Sequence, residues 1–454
     1  MKFNTRLGEI AEVIMGQSPK GDEVNNSGSG CPLLNGPTEF TRRHPEPVQY
    51  TENGRRFAEK GDLLFCVRGS TTGRMNYADQ RYAIGRGIGA IRGKNGYPTP
   101  YLRAIIEQNL DRLLQAVTGS TFPNVGRDTL NNFEVASVDQ DAASLINQFL
   151  VSLEDKIYLN SQINQTLEQM AQTIFKSWFV DFEPVKAKMA ALQAGGSEQD
   201  ALLAAMQAIS GKDEDHLSRL QAEQPEQYAE LKATAELFPS AMQDSELGEI
   251  PEGWSVRPLA DLIEFNPRRI LKKGTLAPYL DMKNVPTSGH LAEEIVYRGM
   301  SSGTKFINGD TLLARITPCL ENGKTAYVDF LYEGQVGWGS TEYIVMRPQK
   351  GYPESIGYFV ARDANFRQYA IQSMTGTSGR QRANAKALAE LPWIIYPKDV
   401  VDAFDRIAQL YLRLARKHGD ESKSLSQIRD TLLPKLLSGE LAISSVTEAE
   451  EAEA

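Results

Sequence analysis

The sequence predicts an α+β protein of two similar lobes joined by long helices. It does so through a repeat of about half the chain, short β-rich runs, and two segments with heptad spacing. The repeat orders everything else. Leu7-Gly8-Glu9-Ile10-Ala11-Glu12 resembles Leu259-Ala260-Asp261-Leu262-Ile263-Glu264, and Gly61-Asp62-Leu63-Leu64 resembles Gly309-Asp310-Thr311-Leu312-Leu313. Thr118-Gly119-Ser120 then matches Thr375-Gly376-Thr377, and Leu167 to Phe175 aligns with Leu425 to Leu433. The verbatim copy of Leu7 to Ile10 at Leu247 to Ile250 is a decoy, because its spacing to the later landmarks does not fit.

Taken in order, residues 1–145 form the first lobe, with strands expected at Leu63 to Val67 and Tyr82 to Ile91 and a helix over Pro100 to Val117. Residues 146–184 form a long helix. Stepping by four and three from Ile146 gives Leu150, Leu153, Ile157, Asn160, Asn164, Leu167, Ala171, Ile174 and Trp178. Residues 185–246, rich in Ala, Gln and Glu and broken at Gly195-Gly196, Gly211 and Pro225, read as an acidic helical connector. The second lobe spans 247–403, with strands at Thr311 to Ile316 and Tyr343 to Met346 and a helix over Ser355 to Met374. A second long helix covers 404–440, its seam running Phe404, Ile407, Tyr411, Leu414, His418, Glu421, Leu425, Ile428 and Leu432. Residues 441–454 are an acidic tail expected to be disordered. Both seams turn polar at the same relative place, so pairing as an antiparallel coiled coil would set polar against polar and make the repeat pseudo-two-fold. Pro184 and Pro434 are read as the helix ends, since proline lacks the next backbone donor.

Composition limits the function. The 454 residues are 41% hydrophobic, enough for two or three cores. The first residues lack a basic stretch followed by an apolar one, and no run approaches the ~20 apolar residues that span a bilayer, so a cytoplasmic protein is expected. Cys31, Cys66 and Cys319 lie far apart, without metal-ligand or disulfide-framework spacing. The net charge of −9 argues at first against a polyanionic partner. However, residues 1–145 and 247–403 each carry +1, and the acidity lies in 146–246 (−9) and after 403 (−2).

Partial catalytic motifs fail on the geometry their chemistry needs. Gly323-Lys324-Thr325 ends like a phosphate-binding loop, but the first glycine of that pattern falls on Pro318, which has no N–H for phosphate. Gly85-x-Gly87-x-Gly89 runs into the strand-like Ala90-Ile91-Arg92 and not into a helix N-terminus, so a turn is expected. Asn266-Pro267 is followed by Arg268-Arg269 where a methyltransferase would need proline and an aromatic to hold a flipped base. His44, His216, His290 and His418 have neither ligand spacing nor a neighbouring nucleophile, so no metal and no catalytic residue is expected.

The landmarks together resemble a known family. Gln169 to Asp181, reading Gln-Met-Ala-Gln-Thr-Ile-Phe-Lys-Ser-Trp-Phe-Val-Asp, and Arg429 to Glu440, reading Arg-Asp-Thr-Leu-Leu-Pro-Lys-Leu-Leu-Ser-Gly-Glu, are similar to the specificity subunit of type I restriction-modification systems. The likeness covers nearly the whole chain except the tail. It implies two target recognition domains, each reading half of a bipartite, asymmetric site on double-stranded DNA. It also implies two methyltransferase subunits that modify adenine with S-adenosylmethionine, and motor-nuclease subunits that use ATP and Mg. On that reading the chain is not an enzyme and binds no cofactor itself.

Arginine forks suit guanine edges and short hydroxyl or amide side chains suit others, so the polar loops flanking the strands are the expected base readers. They are Arg42, Arg43, Arg68, Ser70, Thr71, Thr72 and Arg74 in the first lobe. In the second they are Arg315, Thr317, Asn322, Lys324, Thr377, Arg380, Arg382 and Lys386. A helix of about 36 residues is ~54 Å long, comparable to roughly 16 base pairs, which suits a ruler between half-sites. A tandem binding module for peptides or glycans is the alternative that duplicated lobes also allow. Steep loss of duplex DNA with salt separates the two.

Overall fold

The computed structural model describes residues 3–117, 124–377 and 379–441. Thr118-Gly119-Ser120 and the tail from residue 442 lie outside the described residues. The chain divides into two compact units, Met1–Asn160 with Glu421–Ala454, and Ser161–Asp420.

In the first unit a four-stranded antiparallel sheet has the order Ala11–Met15, Ile88–Gly93, Leu63–Cys66, Met75–Tyr77. A five-stranded sheet runs Val24–Asn25, Gln49–Thr51, Cys31–Leu34, Tyr82–Ile84, Phe57–Ala58. Side chains alternate across a strand, so Leu63 and Phe65 enter a core with helix residues Leu102, Ile105 and Ile106, whereas Leu64 and Cys66 enter one with Leu34, Tyr82 and Ile84. Covering on both faces explains why Leu63–Cys66 is an unbroken apolar run. The expected strand Tyr82 to Ile91 is in fact two strands in different sheets, separated by the Gly85-Arg86-Gly87 turn. A Cβ on Gly87 would stand 2.3 Å from the Asn35 carbonyl oxygen, so the close approach requires glycine.

The second unit uses the corresponding strand order, Ile263–Phe265, Tyr343–Pro348, Thr311–Ala314, Thr325–Tyr327. Its other sheet has the order Ile295–Gly299, Leu276–Leu280, Gly337–Gly339, Thr304–Phe306. Leu313, Ile344 and Met346 face the larger core, and Leu312, Tyr343 and Val345 the smaller. The Trp178-Phe179 segment packs in the larger core, where Phe175 stacks on Phe359 at 5.9 Å and Phe179 lies 4.5 Å from Tyr396. The Leu259 segment forms a short 3-10 turn, Leu259–Asp261, beside its strand, as Leu7–Ile10 forms a short helix beside Ala11–Met15. The copy at Leu247 to Ile250 instead contributes the arm Gly248–Pro251 of a hairpin.

The repeated Gly-Asp is structural. Gly61 and Gly309 hold φ of 90° and 83°, which only glycine adopts without strain, and so set the next aspartate inward. Asp62 accepts from Arg92 Nε at 2.7 Å and from the Glu59 amide at 2.8 Å. Asp310 accepts from Arg269 Nη2 and from the Ile307 amide, both at 2.9 Å.

The long helices run Gln140–Phe179 and Lys398–Ser438, each starting six residues before the expected 146 and 404. Asp139 Oδ1 accepts the Ala142 amide at 3.0 Å and fixes the first start. The first helix ends at Phe179, and Pro184 sits in the opening turn of the next helix, Glu183–Gln193, where its missing N–H costs nothing. Pro434 corrects the expectation that it ends the second helix: it lies inside, and Leu436 and Leu437, buried in the first unit's core, hold the following turn. The second seam also needs correction. Phe404, Ala408, Leu412 and Ala415 are buried, while Leu414 and Ile428 keep 36% and 44% of their surface exposed. Counting large apolar residues misses the alanines that face inward. In the first helix Ile146, Leu150, Ile157 and Trp178 are buried and Leu153, Leu167 and Ile174 half-buried.

The connector holds four helices, Glu183–Gln193, Glu198–Ser210, Glu214–Glu223 and Pro225–Glu236. Ala205, Met206, Leu217 and Ala235 give it a small core of its own. Gly211 caps one helix at φ 67° and Pro225 opens another.

Candidate nucleic-acid interface

In each unit a polar loop joins the third and fourth strands of the antiparallel sheet: 67–74 in the first and 315–324 in the second. The two loops are braced alike. Val67 donates to Gly87 O at 2.9 Å and accepts from the Val125 amide at 2.9 Å; Arg315 donates to Glu342 O at 2.9 Å and accepts from the Ala383 amide at 2.8 Å. One residue further on, Arg68 bridges to Asn124 and Ile316 bridges to Arg382. Corresponding backbone positions thus carry different side chains.

In the first loop Arg68, Ser70 and Arg74 are exposed, and neither arginine makes an ion pair among the described residues. The turn is shaped by Thr72, whose amide and hydroxyl both reach Gly69 O, and by the Thr71 hydroxyl, 3.5 Å from Cys66 Sγ. Asn124, outside the sequence expectation, joins this loop through its bridge to Arg68, and the exposed Arg86 precedes Gly87, whose carbonyl braces Val67. Arg42 and Arg43 lie beside the strand leaving the loop, where Tyr77 donates to Arg43 O. Arg42 is exposed, but Arg43 is committed: it pairs with Asp155 and lies 4.8 Å over the Tyr158 ring on the long helix. It serves as a strut.

The second loop is brought against 375–383. The amide and hydroxyl of Thr317 both donate to Gln381 O at 3.1 Å, and Thr375 bridges to Arg382. Arg382 grips the Glu342 carboxylate through Nε at 2.9 Å and Nη2 at 2.7 Å, and this fork holds Glu342 below the usual carboxylate range. Arg315 lies behind it with Nε buried and without a hydrogen-bond partner among the described residues. Lys324 Nζ is spent on the carbonyls of Met282 and Lys283 at 2.7 and 3.1 Å. Asn322, Thr377, Arg380 and Lys386 are exposed; Lys386 Nζ stands 3.8 Å from Glu390. Asn322, Thr377 and Arg380 are thus exposed with no side-chain hydrogen bond or ion pair among the described residues, while Arg382 and Lys324 fix the loop. Among the described residues no cluster of three or more His, Cys, Asp or Glu could hold a metal ion, and no helix is long and apolar enough to cross a membrane.

These features define a two-unit α+β protein that offers two matched loops bearing different polar side chains. The family model for the type I restriction modification DNA specificity domain matches residues 3–169. Over 410 residues, 84% of this chain and 87% of the relative, the sequence is 28% identical to the Type I restriction enzyme HindI specificity subunit of Haemophilus influenzae. It is 30% identical over 176 residues to the Type I restriction enzyme EcoAI specificity subunit of Escherichia coli, covering 37% of this chain and 29% of that one. Among solved structures, the type I restriction-modification S subunit from M. genitalium shares the fold at a TM-score of 0.53, with 13% identity and 96% of both chains covered. Residues 3–169 thus match the type I restriction modification DNA specificity domain, and most of the chain is similar to a type I restriction enzyme specificity subunit. None of these relatives is named for binding peptides or glycans.

Proposed function

We propose that this chain selects the DNA sequence on which a type I restriction-modification complex acts, each lobe reading one half of a bipartite, asymmetric site. The observation that carries the reading is the pair of matched loops with unlike chemistry: exposed Arg68 and Arg74, without an ion pair among the described residues, in one, and the Arg382–Glu342 fork flanked by Arg380 and Thr377 in the other. Equal scaffolds with unequal tips suit two different half-sites. The chemistry is assigned to other subunits, with two methyltransferase subunits modifying adenine from S-adenosylmethionine and motor-nuclease subunits consuming ATP with Mg.

The long helices are proposed to pair as an antiparallel coiled coil that spaces the half-sites, giving the lobes a pseudo-two-fold relation. Contacts within each unit support this. In the first, Ile146 and Leu150 share a core with Leu436 and Leu437, and Asn160 Nδ2 donates to Glu421 Oε2 at 2.8 Å. In the second, Trp178 packs with Phe404, and Asn164 Nδ2 donates to Ala415 O at 2.9 Å. The polar residues near the middle of each helix are thus used on the partner helix.

The test is retention on duplex DNA of the chain copurified with its methyltransferase partner. Steep loss of binding between low and high salt is expected, with methyl transfer to adenine by the complex and none by the pure chain. Binding to glycan or peptide arrays without affinity for DNA would overturn the reading.

A further inference from the structure

The segment after strand Ile263–Phe265 reads Asn266-Pro267-Arg268-Arg269-Ile270-Leu271-Lys272-Lys273-Gly274-Thr275, with four cations and no acid. The corresponding segment after Ala11–Met15, Gly16 to Glu23, has one cation and two acids. This basic loop is anchored at both ends. Asn266, at φ 52°, donates its amide to Val345 O at 2.7 Å and accepts the Val345 amide on Oδ1 at 2.9 Å. At the far end Gly274 donates to Met300 O at 2.7 Å and Thr275 O accepts the Met300 amide at 2.8 Å. In between, Arg269 is tied to the buried Asp310, and Leu271 packs against the cluster of Ala277, Met300 and Trp338.

What this anchoring leaves outside is specific. Arg268, Lys272 and Lys273 are exposed and make no ion pair among the described residues, and Ile270 is 76% exposed between them. Internal charge pairing, the usual reason for a run of cations, is met for Arg269 alone. An isoleucine held out between free cations on a fixed backbone suits a polyanion with an apolar wall between its charges, which describes the sugar-lined minor groove of a duplex.

We infer that the loop 266–275 is a DNA-backbone arm of the second lobe: Arg268, Lys272 and Lys273 hold phosphates while Ile270 lies against the minor-groove wall. It rests on the DNA-reading function proposed above and adds a site of attachment outside the base-reading loops. With no counterpart in the first lobe, it makes the second lobe the main source of sequence-independent affinity. An acidic face of another protein is the competing partner.

The experiment uses the complex with the methyltransferase subunits and a random-sequence duplex, titrated at several salt concentrations. Arg268→Gln/Lys272→Gln/Lys273→Gln should reduce the slope of log affinity against log salt by about two to three, near 0.9 for each phosphate no longer neutralised, and leave the methylated motif unchanged. Ile270→Ala should weaken binding about threefold to tenfold at an unchanged slope. An unchanged slope in the triple variant, while Arg68→Ala still relaxes one half-site, overturns the arm and leaves the DNA reading intact. Loss of a subunit from the complex on copurification also overturns it, in favour of a protein partner. If the unaltered complex itself shows no salt-dependent DNA binding, the underlying reading fails.

Discussion

Asp310→Asn removes one charge and almost no volume from a site the structure makes expensive. The Asp310 carboxylate is fully buried; it takes hydrogen bonds from Arg269 Nη2 and the Ile307 amide at 2.9 Å each and lies 3.5 Å from Arg347 Nη1. The two arginine side chains keep only 17% and 22% exposure, so neutralising the aspartate strands guanidinium charge that water reaches poorly. Removing one partner of such a cluster costs about 3 kcal/mol, softened here because Arg347 keeps Glu354. All four tryptophans, Trp178, Trp254, Trp338 and Trp393, lie in the second unit, so their fluorescence reports on that unit alone. Denaturant unfolding followed by tryptophan emission should show Asp310→Asn losing about 2–4 kcal/mol. Asp62→Asn, in the first unit, should move that signal far less. A loss below about 0.5 kcal/mol for Asp310→Asn would refute the claim that the repeated Gly-Asp is a buried electrostatic anchor.

Three other outcomes are expected. Arg68→Ala or Arg74→Ala should relax only one half of the methylated motif and Arg380→Ala only the other, at ~1–3 kcal/mol per bidentate base pairing removed, measured by competition between matched and mismatched duplexes. Arg382→Ala should instead lower stability by about 1 kcal/mol in thermal melts, because its fork is half-exposed and bound to Glu342. His290 is 2% exposed; its Nε2 stands 3.4 Å from Asp329 without hydrogen-bonding geometry, and burial together with Arg416 and Arg362 brings its pKa down to about 4. The fold therefore favours the neutral ring: its contribution is whole above pH 6.5 and is lost as pH falls from 6.5 towards 4, by up to about 3 kcal/mol. His290→Gln should flatten that part of the stability profile, and an unaltered profile would contradict the assignment.

Much of the architecture is legible in the residues because the repeat marks backbone necessities. Gly61-Asp62 and Gly309-Asp310 recur since each strand needs a left-handed residue and a buried carboxylate just before it. The doubly covered strands announce themselves as unbroken apolar runs. Pairs of residues such as Val24–Asn25 and Phe57–Ala58 carry no periodicity, so the outer strands of the five-stranded sheet leave no mark in the sequence. The inward line of the second long helix escapes a hydrophobic count because Ala408 and Ala415 look neutral in it. At the interface the residue types and loops can be named from sequence, but not their commitments. Arg43 meets Asp155, Lys324 meets Met282 and Lys283, and Arg382 meets Glu342, all partners at least 40 residues away in sequence. The run Arg268 to Lys273 is a readable signal, four cations in six residues without an acid.

That the two loops read two independent half-sites is tested by mapping methylated adenines in cells expressing this chain with the methyltransferase subunit proposed as its partner, before and after Arg68→Ala/Arg74→Ala. One bipartite asymmetric motif should appear for the unaltered chain, and the double variant should relax one half while the other half and the spacer stay fixed. A motif that relaxes in both halves, or that does not change at all, would contradict the assignment of one loop to each half-site.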